Sequence, residues 1–388
     1  MPRPELGLPA GVDVLIIGAG AVGCSLAYNL AERGVKSVLV VDRGGIGDGS
    51  TGRCAGGVRQ QFSTEVNVRI GMLSRSILET FEERLGRSAD FRQIGYLFVA
   101  PDDSDMSGLR HNLDVQHRAG LADSREVDVG EIGRLVPGLR TDDLRGGSYC
   151  PTDGIAGPNE VTFGYAHSAR QKGVRIMEGV EVLAIKVKPG DCRVRTSRGD
   201  IRAGLVVCCA GAWSAEVGKM VDVDVPVVPY RRHIFVTGPF DGATRETPMT
   251  VDYHTTFYFH PEGDGLLLGM SDPAEPPSYR TDVDWDFLDH LVEHAVARFP
   301  ALEQARVQTG WAGLYEVTPD HQPLIGEMPS RPGLWMCTGF SGHGFMQAPA
   351  VGELCGDLIV GREPAFDISA LRPGRFAEGD FVEERAVI

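Results

Sequence analysis

The sequence predicts an α/β and α+β protein in which a Rossmann-like parallel sheet is combined with a second part built on a mostly antiparallel sheet. An unbroken apolar run at residues 14–17 has the length of a parallel strand buried on both faces. A glycine pattern, Gly18-x-Gly20-x-x-Gly23, follows it directly and leads into a helix. After about residue 226, strand-like runs carry more aromatic and polar residues, which indicates a second, more antiparallel sheet.

Residues 12–42 show the order of strand, turn, helix, strand and acid that is typical of a dinucleotide site. Gly18 permits a tight turn, Gly20 lets the backbone approach a pyrophosphate, and Gly23 allows the helix to pack closely on the strand. The helix start directs free N–H groups at the phosphates. Asp42 closes the second strand, where an acidic residue accepts hydrogen bonds from the adenosine ribose and disfavours the 2′-phosphate of NADP.

The loop that follows, residues 43–62, is rich in glycine and contains Ser50, Thr51 and Arg53. Glycine lets the backbone wrap closely around a flat or phosphorylated ligand, and these three side chains supply donors that suit phosphate. Further on, a buried strand signal at residues 201–209 runs into Gly211. We expect that strand to bring a second stretch of backbone onto the same ligand.

Helices and strands alternate along the rest of the chain. Apolar stripes predict helices at residues 67–85, 106–119, 158–172, 285–299 and 344–360. Short apolar runs between Gly and Pro turns predict strands at residues 94–100, 174–177, 180–187, 192–197, 201–209, 232–237, 255–260, 265–269, 306–315 and 334–340. We expect a discontinuous cofactor-binding domain of residues 1–85, 146–225 and 318–388, and a substrate-binding domain of residues 86–145 and 226–317.

A net charge of −15 on 388 residues argues against nucleic acid and anionic membrane as partners, since both favour a basic surface. No apolar stretch approaches the roughly 20 residues of a membrane span, and nothing resembles a secretory signal. The sequence therefore predicts a cytoplasmic protein. Eight cysteines without a CxxC pair predict buried, reduced thiols rather than disulfides or a metal site.

Five segments occur in the order found in the D-amino-acid oxidase superfamily, and together they cover nearly the whole chain. They are the glycine pattern with Asp42, Ser-Thr-Gly-Arg-x-x-Gly-Gly-x-Arg at residues 50–59, Ala-Gly-Ala-Trp at 210–213, Trp-Ala-Gly-Leu-Tyr-Glu-x-Thr-Pro-Asp at 311–320, and Gly-Phe-Ser-Gly-His-Gly-Phe at 339–345. The chain most resembles the sarcosine oxidase, dimethylglycine dehydrogenase and glycine oxidase branch.

This resemblance implies a GR2-type FAD-binding domain and FAD in place of NAD. It also implies oxidation of the C–N bond of an amino acid or N-substituted amine, in which hydride leaves carbon for the flavin and water hydrolyses the imine. In the family, the helix start near residue 344 faces the flavin pyrimidine, where its dipole stabilises negative charge on the reduced flavin. Together with the glycine-rich segments, the resemblance predicts these FAD contacts: Gly18, Gly20, Ala21, Val22, Gly23, Asp42, Arg43, Ser50, Thr51, Arg53, Cys54, Ala55, Gly56, Gly57, Val182, Ala210, Gly211, Trp213, Gly313, Gly342, His343, Gly344, Phe345 and Met346.

Three positions depart from the pattern of sarcosine oxidases. Gly313 stands where monomeric sarcosine oxidases carry the cysteine that bonds to the flavin, which predicts non-covalent FAD. Leu267 stands where those enzymes carry a lysine that promotes the reaction of reduced flavin with oxygen, and this favours a dehydrogenase with a protein or quinone acceptor. Met346 replaces a lysine that grips the substrate carboxylate, which leaves sarcosine open as the substrate.

Several side chains are candidates for contact with the substrate. Arg59 is the first candidate for a carboxylate, because the family often places such an arginine at the end of the glycine-rich loop. Tyr258 and His260 share a strand face, Tyr315 lies in the family's active-site segment, and the backbone places His343 near the flavin. Other candidates remain open: Arg231, Arg232 and His233, of which at least one is structural, Glu316, which would bind a cationic amine or pair with an arginine, and Asp320, which would cap a turn.

The favoured function is an FAD-dependent amine or amino-acid dehydrogenase, acting alone or as the catalytic subunit of a hetero-oligomer, since residues 56–62 resemble catalytic β-subunits. One alternative is an oxidase that uses oxygen, with His260 as the cation in place of the lysine. A second alternative is a flavin-bearing assembly factor, and a third is a colourless NAD dehydrogenase. Reduction by amines, co-purification of a second chain and the colour of the protein would separate these hypotheses.

Overall fold

The computed structural model describes residues 7–388, and residues 1–6 of the predicted first domain lie outside this range. Its helices are α1 (Ala21–Glu32), α2 (Glu65–Glu79), α3 (Phe81–Leu85), α4 (Asp103–Ala119), α5 (Val129–Leu135), α6 (Pro158–Gln171), α7 (Ser214–Lys219), α8 (Asp286–Arg298), α9 (Gly344–Ile359) and α10 (Arg375–Glu378). Its strands are β1 (Gly11–Ile17), β2 (Val38–Val41), β3 (Gly57–Val58), β4 (Tyr96–Ala100), β5 (Arg125–Val127), β6 (Gly146–Cys150), β7 (Gly154–Ile155), β8 (Arg175–Met177), β9 (Val182–Lys186), β10 (Cys192–Thr196), β11 (Gly199–Cys208), β12 (Val228–Thr237), β13 (Met249–Asp252), β14 (Tyr258–Glu262), β15 (Gly265–Met270), β16 (Val307–Val317), β17 (Leu324–Glu327) and β18 (Leu334–Thr338).

The first large sheet is built on parallel strands in the order β8-β2-β1-β11-β18, with β17 antiparallel to β18 at the edge. Ile16 faces a core that it shares with α1, α6 and α9, whereas Leu15 faces a second core formed with β9 and β10. The strand β1 is therefore buried on both faces, which explains its unbroken apolar sequence.

The second large sheet has the order β16-β12-β15-β14-β13-β4-β6-β5 and is antiparallel except where β4 pairs with β13. Successive residues of β15 point to opposite faces. Leu266 and Leu268 pack in the core that contains residues of α8, while Leu267 packs in the core on the other face. The predicted fold class, a mostly parallel sheet joined to a mostly antiparallel one, is confirmed.

Three predicted boundaries differ from the structure. Strand β6 begins at Gly146 and pairs with β4 and β5, so residues 146–150 belong to the second sheet and not to the cofactor-side segment. The helix predicted at residues 67–85 is divided at Thr80, whose hydroxyl donates to carbonyl oxygens one turn earlier and competes with helical hydrogen bonds. Strand β12 begins at Val228, which places the predicted arginine pair inside the strand and not at its start.

Two features of composition can be compared with the structure. All eight cysteines are free thiols, and all except Cys54 are buried. Across residues 7–388, no helix has both the length and the apolar character that a membrane crossing requires.

Candidate active site

A cavity of about 920 Å³ lies where the carboxyl ends of the parallel strands meet the second sheet. This volume is near the upper end of the roughly 300–1,000 Å³ that is typical of ligand pockets, and the carboxyl edge is where open parallel sheets bind ligands. All the predicted cofactor residues line it except Gly23. A side chain at Gly23 would overlap the Gly18 carbonyl oxygen, so this glycine serves the close packing of α1 on the strand.

The first glycine turn forms one end of the cavity. Gly18 has a φ of +112°, and a side chain there would overlap the Cys209 carbonyl group. Helix α1 then begins at Ala21 with no side-chain cap and no acidic residue in its first turn. Thr51 Oγ1 accepts a hydrogen bond from Ala21 N at 3.1 Å, which leaves the threonine O–H able to donate. Because the N-cap residue Gly20 has no side chain to occupy the next N–H groups, this helix start beside a glycine turn is suited to phosphate.

Asp42 connects two loops at the same end. Its Oδ2 accepts from Ala19 N at 2.7 Å, and its Oδ1 accepts from Gly44 N at 2.8 Å. Each oxygen retains a lone pair for a ribose hydroxyl. Beside it, the Arg43 guanidinium carbon lies 4.2 Å from the centre of a Trp213 ring, which closes this end with a flat surface.

Two side chains that the sequence assigned to phosphate donate to the protein itself. Ser50 Oγ donates to the Leu314 carbonyl at 2.7 Å, and Arg53 Nη1 donates to the Ala312 carbonyl at 3.1 Å. Trp311 Nε1 donates to the Arg53 carbonyl at 3.0 Å. These three bonds hold the glycine-rich loop against β16, so the loop joins the two sheets across the cavity.

Arg59 lines the other end of the cavity and is 1% exposed. Its Nη1 donates to the Gln61 carbonyl at 2.6 Å, and its Nη2 donates to the Ala386 carbonyl at 2.7 Å. Nη2 also lies 3.2 Å from His343 Nε2. Within the described chain Arg59 Nε has no partner. The predicted carboxylate anchor is therefore at the cavity, but the protein uses much of its donor capacity.

Strand β12 separates the three side chains that the sequence left open, because successive residues face opposite sides. Arg231 is 3% exposed and forms a bidentate pair with Glu275, both N···O distances being 3.0 Å. His233 shares that face and accepts a hydrogen bond from a backbone N–H. Arg232 lines the cavity on the opposite face, with its guanidinium carbon 5.3 Å from the Tyr315 ring centre. In residues 7–388 no carboxylate lies within ion-pair distance of Arg232, and its buried Nε has no partner.

Three tyrosines line the substrate side of the cavity. Tyr258 and Tyr315 were expected there, and Tyr96 joins them. Burial raises the pKa of all three phenols, so each remains a neutral group that can donate a hydrogen bond. Sequence reasoning missed Tyr96 because every residue of β4 is buried, so its alternation carries no signal. Met249 and Ile388 also line the cavity without a sequence signal.

The two predicted histidines occupy different places. His343 lines the cavity, and burial together with the charge of Arg59 holds its pKa well below the ordinary value. Its neutral ring can accept from Arg59 through Nε2. His260 lies behind the wall and does not line the cavity, because its Nδ1 and Nε2 lie 2.9 and 2.8 Å from the Pro261 and Ala55 carbonyl oxygens. Burial lowers its pKa as well.

The structure also assigns the two acidic residues whose roles the sequence left undecided. Glu316 lines the cavity and accepts from Phe340 N at 3.2 Å, and burial raises its pKa to about 7. Asp320 is fully buried and forms a bidentate pair with Arg375 at 2.7 and 2.9 Å. It also accepts from Gln322 N at 3.1 Å, so the expected turn cap is present, but its main partner is the buried arginine.

Comparison with known proteins connects this geometry to a family. Residues 13–358 match the model of the DAO family, described as FAD dependent oxidoreductase. The chain belongs to the DAO family. It is 29% identical over 390 residues to mitochondrial sarcosine dehydrogenase of Mus musculus, an alignment that covers 96% of this chain and 42% of the relative. It is 30% identical over 387 residues to mitochondrial dimethylglycine dehydrogenase of Rattus norvegicus, covering 94% of this chain and 45% of the relative.

The chain thus spans less than half the length of these two DAO-family relatives. Among solved structures, L-proline dehydrogenase from P. horikoshii matches with a TM-score of 0.90 and 32% identity, covering 96% of this chain and 100% of that one. The predicted resemblance and the choice of FAD over NAD are confirmed.

The DAO-family cofactor also fits the cavity on the evidence of the chain's own residues. Helices α1 and α9 both begin at the cavity without a side-chain cap or an acidic residue in the first turn. The first helix start suits the pyrophosphate, and the second suits a ring that becomes negative on reduction. Gly342, with a φ of +93°, lies so close to the Tyr315 ring that a side chain would overlap it. The Tyr315 ring therefore packs directly on the backbone beside the start of α9.

Proposed function

We propose that this protein is a dehydrogenase that uses non-covalently bound FAD to oxidise the C–N bond of a small amine bearing a carboxylate. The observation that carries the proposal is Arg232, a half-buried cation on an aromatic wall of the cavity, without an anionic partner among the described residues. A partly desolvated cation is costly unless a counter-charge is supplied, and the carboxylate of an amino acid supplies one. The sarcosine, dimethylglycine and proline in the relatives' names have this chemistry.

Recognition would involve two arginines on different elements. Arg232 comes from β12 and Arg59 from the glycine-rich loop, and both line the cavity. The free N–H groups of Arg232 would donate to the carboxylate. Arg59 has fewer N–H groups available, because the Gln61 and Ala386 carbonyls already accept from it. This division fixes one end of the substrate by charge and leaves the other end against apolar surface.

The chain's own residues would orient the amine without acting as a strong base. FAD, when bound, supplies the acceptor for the hydrogen and electron pair that leave the carbon next to nitrogen. His343 is neutral, and its Nε2 is engaged by Arg59. The phenols of Tyr258 and Tyr315 remain protonated. These three groups are not free bases, and nearby positive charge favours a neutral amine, so we infer that the substrate amine reacts in its neutral form.

Two residues support a dehydrogenase over an oxidase. Leu267 is 3% exposed and packs in the core on the cavity-facing side of the second sheet, where it supplies no charge. His260 lies behind Ala55, and burial lowers its pKa. Reduction of oxygen begins with formation of an anion, which a nearby cation would stabilise. Neither position supplies that cation, and the two cavity arginines would be engaged by the substrate carboxylate, so we favour transfer of electrons to a protein or quinone.

The non-covalent attachment follows from the side chains near Gly313. This residue offers no nucleophile, and burial raises the pKa of the nearby cavity thiol of Cys54 to about 12, so its thiolate is scarce at neutral pH. Acid precipitation should release all the yellow colour into the supernatant. A yellow pellet that keeps its flavin after washing would contradict this part of the proposal.

The decisive experiment is anaerobic bleaching of the flavin near 450 nm by sarcosine, dimethylglycine, proline, glycine, D-amino acids and larger N-substituted amino acids, followed by admission of air. We expect bleaching by one chemical class and slow recovery in air. Rapid recovery with peroxide formation would favour the oxidase hypothesis. If dithionite reduces the flavin and no amine does, the proposal fails, and a missing subunit or an assembly factor becomes the better hypothesis.

A further inference from the structure

The segment 382–388 returns to the substrate side of the cavity. Ala386 is 2% exposed, and its carbonyl accepts from Arg59 Nη2 at 2.7 Å. Ile388 lines the cavity and packs against the core that contains Tyr96, Met249 and Tyr258. The segment therefore contributes both a polar contact to the candidate carboxylate anchor and an apolar surface to the cavity.

A single buried carboxylate holds this segment in place. Glu384 is fully buried, and its oxygens accept from Ser63 N at 2.8 Å, Thr64 N at 3.1 Å and Asn67 Nδ2 at 3.1 Å. The hydroxyls of the same serine and threonine also donate to it. No lysine or arginine of the described chain pairs with Glu384. A carboxylate that is held only by neutral donors of fixed geometry is a strong positional constraint.

Three further hydrogen bonds, all donated by backbone N–H groups, extend the attachment along the segment. Glu384 N donates to the Asp320 carbonyl at 2.9 Å, and Arg385 N donates to Ser63 Oγ at 2.7 Å. Glu384 Oε1 also accepts from Ala386 N at 3.0 Å, which sets the direction of the residues that follow. The attachment begins beside α2 and ends at Ile388.

We propose that residues 382–388 form a wall of the substrate pocket, that Ile388 determines the size of the substrate group accepted there, and that Glu384 is the positioning residue of this wall. The inference rests on the proposed function, because it assigns a boundary to the same pocket. The carboxylate end of the substrate would be fixed by Arg232 and Arg59, so its substituent would extend toward the apolar surface that Ile388 completes. Removing the isoleucine side chain enlarges that space without removing a charge.

The test compares Ile388→Ala with Val382→Ala, a control in the same segment whose side chain is 69% exposed. In each FAD-loaded protein, the Kd values of acetate and phenylacetate are measured from the change in the visible flavin spectrum. The ratio of kcat/KM for a small and a large substrate of the active class is also measured. For Ile388→Ala we expect the ratio of the two Kd values and the ratio of the two kcat/KM values each to shift in favour of the larger compound by about tenfold or more. Such a shift is typical when a pocket gains or loses a few methylene groups. The control should leave them unchanged.

The positioning role is tested by Glu384→Gln against Glu383→Gln, since Glu383 is the adjacent carboxylate and lies at the surface. Hydrogen exchange of the amides of residues 384–388 should rise more than tenfold in E384Q and stay at the wild-type rate in E383Q. Equal exchange in both variants would contradict the role of Glu384. If amines bleach the flavin and I388A leaves the Kd and kcat/KM ratios unchanged, the wall assignment fails while the proposed function stands. A wild-type protein that binds neither carboxylate and is bleached by no amine would contradict the proposed function instead.

Discussion

Replacing Arg232 by methionine removes the cavity guanidinium and keeps a side chain of similar length. In the free protein, Arg232 gives one hydrogen bond, from Nη1 to the Arg231 carbonyl at 2.9 Å, so its loss leaves no buried carboxylate unpaired within the described chain. A hydrogen bond to a charged group contributes about 1.5–3 kcal/mol, which corresponds to about a 10- to 150-fold change in affinity. We expect R232M to raise the Kd of acetate and the KM of the substrate by that factor, with normal FAD content.

The assay is titration of the oxidised flavin spectrum with acetate and, in parallel, with the uncharged analogue acetamide. Acetamide binding should change by less than about twofold, because a guanidinium binds a carboxylate more strongly than a neutral amide. R232K should recover part of the acetate affinity. If R232M binds acetate as tightly as the wild type does, Arg232 is not the carboxylate anchor and the proposed function loses its main support.

Arg231→Met is the matched contrast, since the neighbouring residue faces the other side of β12. It leaves the buried carboxylate of Glu275 without its partner, which costs about 3–5 kcal/mol of folding free energy. For 388 residues, an unfolding entropy of about 0.8 kcal/mol/K converts this loss to a Tm lowered by about 4–6 °C. R231M should therefore lose stability and keep its acetate affinity, whereas R232M should show the reverse.

Other predictions concern the cofactor side of the cavity and the buried ion pair. Burial raises the pKa of Glu316 from 4.5 to about 7, so between these two pH values the folded FAD-free protein holds a proton that the unfolded chain releases. The free energy of unfolding should therefore fall by about 3 kcal/mol as the pH rises from 4.5 to about 7. A Glu316→Gln variant with the same pH profile in urea denaturation would contradict this. Gly342→Ala should lower the free energy of unfolding of the FAD-free protein by about 1–2 kcal/mol, because the left-handed φ and the overlap with Tyr315 strain the folded chain. A urea-denaturation midpoint equal to that of the wild type would refute this. Asp320→Asn should lower the free energy of unfolding by about 3–5 kcal/mol, since Arg375 then keeps a buried charge without a counter-charge. A loss below about 1 kcal/mol, measured by urea denaturation, would show that the pair contributes little to stability.

The cofactor half of the site could be predicted from the sequence because its determinants are local. A strand, a glycine turn, a helix start and an acid lie within residues 12–42, and backbone geometry brings them together wherever that unit folds. Ser50 and Arg53 were placed at the cavity for the same reason. Their partners could not be predicted, since the Leu314 and Ala312 carbonyls belong to a strand more than two hundred residues away in the chain.

The substrate half depended on which face of each strand looks into the cavity. Arg231, Arg232 and His233 are equally polar in the sequence, and only the register of β12 against its neighbours assigns Arg232 to the cavity and the other two to the opposite face. His260 was expected at the cavity with Tyr258, but its ring is held against the Ala55 backbone behind the wall. Such assignments follow from long-range strand pairing, which local pattern does not encode.

The sequence by itself determined the parallel cofactor sheet, because glycine turns and apolar periodicity act over a few neighbouring residues. The family and FAD came from the resemblance that five of its segments carry. Only the tertiary structure decided that Arg232 is available and Arg59 largely occupied, and that Ile388 reaches the cavity. The physical reason is that a guanidinium's availability depends on every acceptor that surrounds it. For Arg59, one of those acceptors is the Ala386 carbonyl, held there by the buried Glu384 carboxylate.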